Sequence, residues 1–268
     1  MSQAQERYER RLARIAREMG EHIDLTFQHN PFRSMTRRFA VATSSRSGSY
    51  LLSERLLAHG AVVTEGFLPN RILWTCERRR LLGLEDYCRQ HLAQNAVGGV
   101  FGVKGEFDIL VPLAQAGEIP DHLGDWRFVH LTRANTVQQA ISLLIARKTL
   151  AWRSFKAPAR KMTDDDYDGA LIAETIRGIA RMNRTWEETF DLLGVDPMRI
   201  TYEELAADPP AVVAAVAAYV GLEGPAITDP RFVNPPLERQ ATDLNARWEA
   251  RFRRTDGRRL KRLIRTAP

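Results

Sequence analysis

The sequence predicts an α/β fold, a parallel sheet flanked by helices, with an N-terminal helical arm and a basic C-terminal segment. Three observations carry this. Short apolar runs alternate with longer segments of helical period from residue 38 onward. One run, Phe39–Thr43, passes through a turn of small residues straight into a leucine-bearing helical pattern. The longest apolar stretches, such as Ala211–Val220, fall far short of the roughly 20 residues a membrane span needs.

The elements follow in order. Residues 1–37 read as the polar helical arm, with Tyr8, Leu12 and Ile15 on one face, and residues 38–268 as the α/β domain. Strands are expected at Phe39–Thr43, near Ala61–Thr64, and at Gly99–Lys104, Arg127–Thr132 and Met198–Tyr202. Helical patterns fill Tyr50–His59, Ile72–Ala96, Val137–Thr149, Asp168–Leu193 and Pro210–Val220. The last opens on Asp208 as cap, with Pro209 and Pro210 in the first positions. Gly224–Pro236, with four prolines, reads as an irregular connector.

Composition bounds the function. With 268 residues, 44% hydrophobic and 27% charged, the chain has the makeup of an ordinary globular protein. The N-terminus is charged and lacks an apolar leader pattern, so a cytoplasmic protein is expected. Cys76 and Cys88 match neither a metal nor a redox spacing and read as reduced thiols in one helix. The six histidines form no ligand pattern either, so no metal is expected; His130, set among apolar strand residues, reads as structural. Asp164–Asp166 reads as an acidic turn that caps the next helix. The net charge of +6 concentrates in Arg251–Arg262, which suits an anionic membrane surface or a phosphorylated ligand, or equally a solvated helix end. Aromatic residues do not interleave with that segment, so no nucleic acid is expected. Basic arms at both ends are compatible with peripheral membrane contact and with a homodimer.

The richest stretch is Thr43-Ser-Ser-Arg-Ser-Gly-Ser49, between the first strand and its helix. A strand entering a helix through such a loop aims backbone N–H groups at one spot, backed by the positive end of the helix dipole. The loop is P-loop-like but lacks the lysine that nucleotide triphosphatases place on the β- and γ-phosphates, since Ser49 and Tyr50 follow Gly48. It is suited to a phosphate without being equipped for a γ-phosphate. A second anion site is expected where a buried strand delivers Arg133 at its carboxyl end, with Ser142 on the following helix. From these residues alone three readings stand: an enzyme with a doubly anionic ligand, a non-catalytic anion-binding module with a basic C-terminus, and a divergent ATP-using P-loop enzyme.

The two motifs, in this order, resemble the bacterial trehalose 2-sulfotransferase family of PAPS-dependent sulfotransferases (PAPS is 3′-phosphoadenosine 5′-phosphosulfate). Supporting matches are Phe101-Gly-Val-Lys104, Trp186, Gly194-Val-Asp-Pro197, Ile200-Thr-Tyr-Glu-Glu-Leu205, Leu237-Glu-Arg-Gln-Ala241 and Trp248, so that the similarity runs from about Arg38 to Arg254. The resemblance implies a sulfotransferase moving a sulfuryl group from PAPS to a hydroxyl of a carbohydrate or glycolipid acceptor, without a metal. It implies that Arg46, Ser47, Gly48 and Ser49, with Tyr50 beside them, cradle the 5′-phosphosulfate. Arg133 and Ser142 would hold the 3′-phosphate, and Arg239, Gln240 and Ala241 would close over the nucleotide. Glu65 aligns with the family's catalytic base, while Arg46 and Lys104 would add positive charge at the reacting group. The chain departs from the family pattern at Ser45, where a proline is common, at Tyr50, where a hydroxyl residue is, and at Val63 and Gly66 beside Glu65.

Overall fold

The computed structural model describes residues 2–153, 155, 157–232 and 242–256. Its centre is a five-stranded sheet in the order β2-β3-β1-β4-β5, with every pairing parallel. The strands are β1 (Arg37–Thr43), β2 (Val63–Thr64), β3 (Val100–Gly105), β4 (Trp126–Thr132) and β5 (Met198–Thr201). The helices are α1 (Gln3–Gly20), α2 (Ser49–Leu56), α3 (Pro69–Arg79), α4 (Leu84–Asn95) and α5 (Leu110–Gln115). They continue with α6 (Thr136–Thr149), α7 (Gly169–Leu193), α8 (Tyr202–Ala207), α9 (Pro209–Tyr219) and α10 (Asp243–Thr255). The expected strands are all present, and the fold class is the one the alternation predicted.

Both faces of the sheet are covered, which is why its strands read as near-continuous apolar runs. Side chains alternate between the faces with the strand period of two. Phe39 and Val41 of β1, with Val129 and Leu131 of β4, pack against Leu52 and Leu56 of α2 and Val213 and Val216 of α9. Ala40 and Ala42, with Trp126 and Phe128, join Phe101 and Trp186 in the opposite layer. Ile15 and Met19 of α1 are buried in that same layer, on the face that Tyr8 and Leu12 share. A third cluster joins Val137 and Ile141 of α6, Ile172 and Ile176 of α7, and Trp248 and Phe252 of α10.

One expected element is two. The helical period read through Ile72–Ala96, but the chain turns between α3 and α4. Arg80 closes α3 in the left-handed region at φ 54°, and Gly83 lies so close to the Asp24 carbonyl that a Cβ there would sit 2.5 Å from its oxygen. Cys76 and Cys88 therefore belong to different helices, each a buried free thiol whose pKa burial raises. No helix among the described residues is long and apolar enough to cross a membrane.

The chain order places the site. After β1 it moves out to β2, returns to β3, and then crosses β1 to reach β4 and β5. The carboxyl ends of β1 and β4 thus flank the point where the strand order reverses, the position at which open α/β sheets bind ligands.

Candidate active site

The loop between β1 and α2 is built by local sequence and held from three sides. Arg46 and Gly48 both have positive φ, 68° and 97°, so the chain folds back on itself before α2 begins. Gly48 is the N-cap, with no side chain closing the helix end, and the first-turn N–H groups remain directed outward. A Cβ at Gly48 would lie 2.6 Å from the Tyr202 ring, so only glycine fits between loop and ring. Buried Thr43 and Ser47 share a hydroxyl–hydroxyl hydrogen bond, and the buried Gln139 amide donates to Ser44 Oγ at 2.9 Å and the Ser45 carbonyl at 3.0 Å. Ser45 donates its Oγ to Glu106 at 2.9 Å and its backbone N–H at 3.3 Å; burial raises the Glu106 pKa. A proline here would have no N–H to give, so this departure from the family pattern is matched by a contact of its own.

The two expected anion motifs meet at Arg46. Its Nε donates to Ser142 Oγ at 3.0 Å and its Nη1 to the Trp152 carbonyl at 2.9 Å. Arg133 leaves β4 and lies across the face of Tyr202, 4.5 Å from the ring centroid. One of its nitrogens donates to Gln138 Oε1 at 2.9 Å, and the other reaches the Arg46 carbonyl at 3.5 Å. Burial, and next the nearby charge of Arg133, push the Arg46 pKa down. Two guanidinium groups converging on one partly buried site favour an anion between them. Ser142 reaches the loop because Asn135 caps α6, its side chain accepting from the Gln138 N–H, and turns the chain between β4 and the helix.

Glu65, Lys104 and Tyr50 form the second half of the site. Lys104 is 2% exposed, not the surface lysine its residue type suggests. Its Nζ lies 3.8 Å from Glu65 Oε1, 3.4 Å from the Ser49 carbonyl and 3.6 Å from the centroid of the Tyr50 ring. Burial lowers its pKa to about 8, with Glu65 opposing the shift. The Tyr50 hydroxyl donates to Glu65 Oε2 at 2.8 Å, and its pKa is raised to about 12 by burial and then by the Glu65 charge. The Arg153 guanidinium donates to the Tyr50 oxygen at 2.8 Å and also lies over its ring at 4.6 Å. Arg153 belongs to the irregular stretch after α6, where no spacing pointed to it.

Other expectations resolve simply. Arg239, Gln240 and Ala241 lie outside the described residues, as does the basic segment from residue 257 on. His130 is buried and structural, its Nδ1 2.8 Å from Glu187 Oε1. Asp164–Asp166 form a single turn closed by Thr163 rather than the cap of the following helix; Asp168 caps α7. The Thr201-Tyr-Glu-Glu204 motif is a brace: Glu204 and Thr201 form a capping box, Glu203 accepts from the Ala134 and Asn135 N–H groups, and Tyr202 seats Gly48 and Arg133.

A doubly wound parallel sheet with a phosphate-type loop and a second guanidinium at the adjoining strand end defines an α/β protein with a site suited to an anion. The chain belongs to the Stf0 sulphotransferase family, whose sequence model matches residues 104–255, more than half of its length. It is therefore an enzyme of sulfuryl transfer. Among curated relatives, the trehalose 2-sulfotransferase of Mycobacterium tuberculosis is 28% identical over 259 residues, covering 81% of this chain and 94% of the relative. The trehalose 2-sulfotransferase of Mycolicibacterium smegmatis is 27% identical over 258 residues, with the same coverage. Among solved structures, a sulfotransferase from Alicyclobacillus acidocaldarius covers 87% of this chain and 97% of its own at 18% identity and a TM-score of 0.43. Retinol dehydratase in complex with androsterone and the inactive cofactor PAP covers 83% and 66%, at 18% identity and a TM-score of 0.40.

Proposed function

We propose that the chain transfers the sulfuryl group of PAPS to a hydroxyl of a carbohydrate or glycolipid acceptor. The observation that carries this reading is the convergence on Arg46: Ser142 bonds its guanidinium and Arg133 reaches its carbonyl. The phosphate-type loop and a second cationic group then lie side by side, which supports a nucleoside ligand carrying anionic groups at two positions. The residues present fit that ligand. The outward N–H groups of α2, Ser47, Ser49 and Arg46 would hold the 5′ end, and Arg133 with Ser142 the 3′-phosphate.

The bound donor supplies an activated sulfuryl group with a phosphate as its leaving partner. Glu65 is the base in this reading. Its Oε2 is taken by Tyr50, and its Oε1, ion-paired with Lys104 at 3.8 Å but beyond hydrogen-bond reach of it, would receive the acceptor hydroxyl proton. Lys104 and Arg46 supply fixed positive charge near the loop, where it is most effective because both are largely withdrawn from water. Positioning and charge would carry most of the rate, with the base adding on the order of 10²–10⁴-fold.

Calorimetry with adenosine 3′,5′-bisphosphate and with AMP tests the reading. The bisphosphate is expected to bind much more tightly, and Arg133→Ala to remove most of that advantage. Equal affinity for the two nucleotides in the unaltered protein defeats the donor assignment.

A further inference from the structure

β2 is the shortest strand of the sheet and lies at its edge. It pairs with β3 through Val63 opposite Gly102 and Thr64 opposite Val103, and there the ladder ends. Glu65 is the next residue, so the proposed base stands on backbone that no strand pairing holds. Segments with so few backbone bonds open easily. A carboxylate that must stay beside Tyr50 and Lys104 needs a further restraint.

That restraint comes from α4, whose Tyr87 packs in the layer opposite the one that contains α2. Gly66 follows Glu65, and both of its backbone polar groups are engaged. Its N–H donates to Thr64 Oγ1 at 3.0 Å, and its carbonyl accepts from the Tyr87 hydroxyl at 2.6 Å. The His91 ring lies against its Cα: a Cβ at Gly66 would stand 2.1 Å from His91 Cε1 and 2.2 Å from Nε2. Gly66 is outside the left-handed region, so it is space rather than backbone conformation that demands glycine here. It is also one of the positions at which the chain departs from the family pattern.

The ring has little room to yield. It stacks on Tyr87, with centroids 5.5 Å apart and planes 7° from parallel, lies 5.6 Å from Phe67 and meets Phe101 edge-on at 6.2 Å. Asn95 Nδ2 is 3.3 Å from its Nδ1, and its Nε2 is withdrawn from water with no hydrogen-bond partner among the described residues. Burial, and next the Arg71 charge, push its pKa down to about 4, so the ring is neutral near pH 7 and offers shape rather than charge.

We propose that His91, together with Tyr87, is a positioning residue for Glu65: the ring seated on Gly66 fixes the chain after the short edge strand and so keeps the carboxylate beside Tyr50 and Lys104. The inference rests on Glu65 being the base. It makes Gly66 and His91 a complementary pair, one side glycine because the other is a ring.

Lys104 reports where Glu65 stands, because the carboxylate 3.8 Å away opposes the lowering of the lysine pKa. Its titration is followed by NMR on the full lysine-labelled chain and assigned by the signal lost in Lys104→Met. The midpoint is expected at about 8 in the unaltered protein and about one unit lower in Glu65→Gln. His91→Ala and Gly66→Ala should each lower it by about half a unit or more, the first by opening a hole behind the strand end, the second by driving the chain off the ring. His91→Phe keeps a flat ring on Gly66 and should keep the midpoint. Combining His91→Ala with Gly66→Ala removes the clash, so the two shifts should fall short of adding. Unchanged affinity for adenosine 3′,5′-bisphosphate in each variant shows that the donor loop is still folded. A midpoint unmoved in both alanine variants, or lowered as far in His91→Phe as in His91→Ala, overturns the positioning role. The base reading fails by a different measurement: full turnover of PAPS in Glu65→Gln, with trehalose as the acceptor probe, counts against Glu65 as base, whereas an unmoved Lys104 counts against His91 alone.

Discussion

Tyr50 donates its hydroxyl to Glu65 across 2.8 Å, from the first turn of α2 to the end of β2. The bond ties the anion loop to the proposed base, and Arg153 completes it by donating to the same phenol oxygen. A phenol whose pKa is raised to about 12 stays protonated at neutral pH and keeps donating. Tyr50→Phe keeps the ring beneath Lys104 but removes that bond. The expected result is turnover lowered by about tenfold with bisphosphate affinity little changed, since one hydrogen bond to a charged group is worth about 1.5–3 kcal/mol. Unchanged turnover would mean that Glu65 needs no positioning from the phenol.

Glu65→Gln separates binding from chemistry. The amide keeps the shape and can still accept from Tyr50, but it cannot take a proton. Turnover should fall on the order of 10²–10⁴-fold while bisphosphate binding persists. A variant that retains full turnover removes Glu65 from the reaction.

Lys104 predicts the pH behaviour. Burial holds its folded-state pKa at about 8, below the ordinary 10.5. Below pH 8 the lysine is charged in both the folded and unfolded chain, and the penalty for burying that charge is fully present. Between 8 and 10.5 the unfolded chain binds more protons, so this group makes stability rise with pH, by on the order of 3 kcal/mol in total. Anion binding moves the other way, because the cation is lost over the same range. Bisphosphate affinity should therefore decline above about pH 8, and Lys104→Met should flatten that decline. Parallel profiles for the two proteins would show that Lys104 does not face the ligand.

The core of this site was legible because strand ends and small-residue turns leave strong local marks. Gly48 stands where backbone geometry demands glycine; Arg133 and Ser142, weak signals by position alone and expected through the resemblance, lie beside Arg46 in the fold. What was not legible depends on packing between distant segments. Lys104 is expected at the site only through the family resemblance; its burial shows only once α2 lays Tyr50 over it. Arg153 sits in an irregular stretch with no period to mark it, and acquires meaning only from the phenol it meets 103 residues away. The break between α3 and α4 was hidden for a similar reason. Helical spacing continues through Arg80–Gly83, and only the approach of Asp24 shows why the chain must turn there. Ser45 and Tyr50, both departures from the family pattern, turn out to be bonded, to Glu106 and Glu65 respectively.

Gly48→Ala tests how the loop is held. The residue has φ 97°, where an L side chain is strained, and an added Cβ would lie 2.6 Å from Tyr202 Cδ2. Tyr202 cannot swing away freely, because Arg133 lies across its ring. Destabilisation of about 1–3 kcal/mol is expected, which for a chain of this size lowers Tm by roughly 2–4 °C per kcal/mol. Bisphosphate affinity should fall as well, since moving Tyr202 displaces Arg133. Adding Tyr202→Ala relieves the clash but not the backbone strain, so the double variant should recover part of the stability and none of the affinity. If the double variant instead recovers affinity in full, Tyr202 is no support for Arg133, and the coupling between the two anion motifs runs through Arg46 alone.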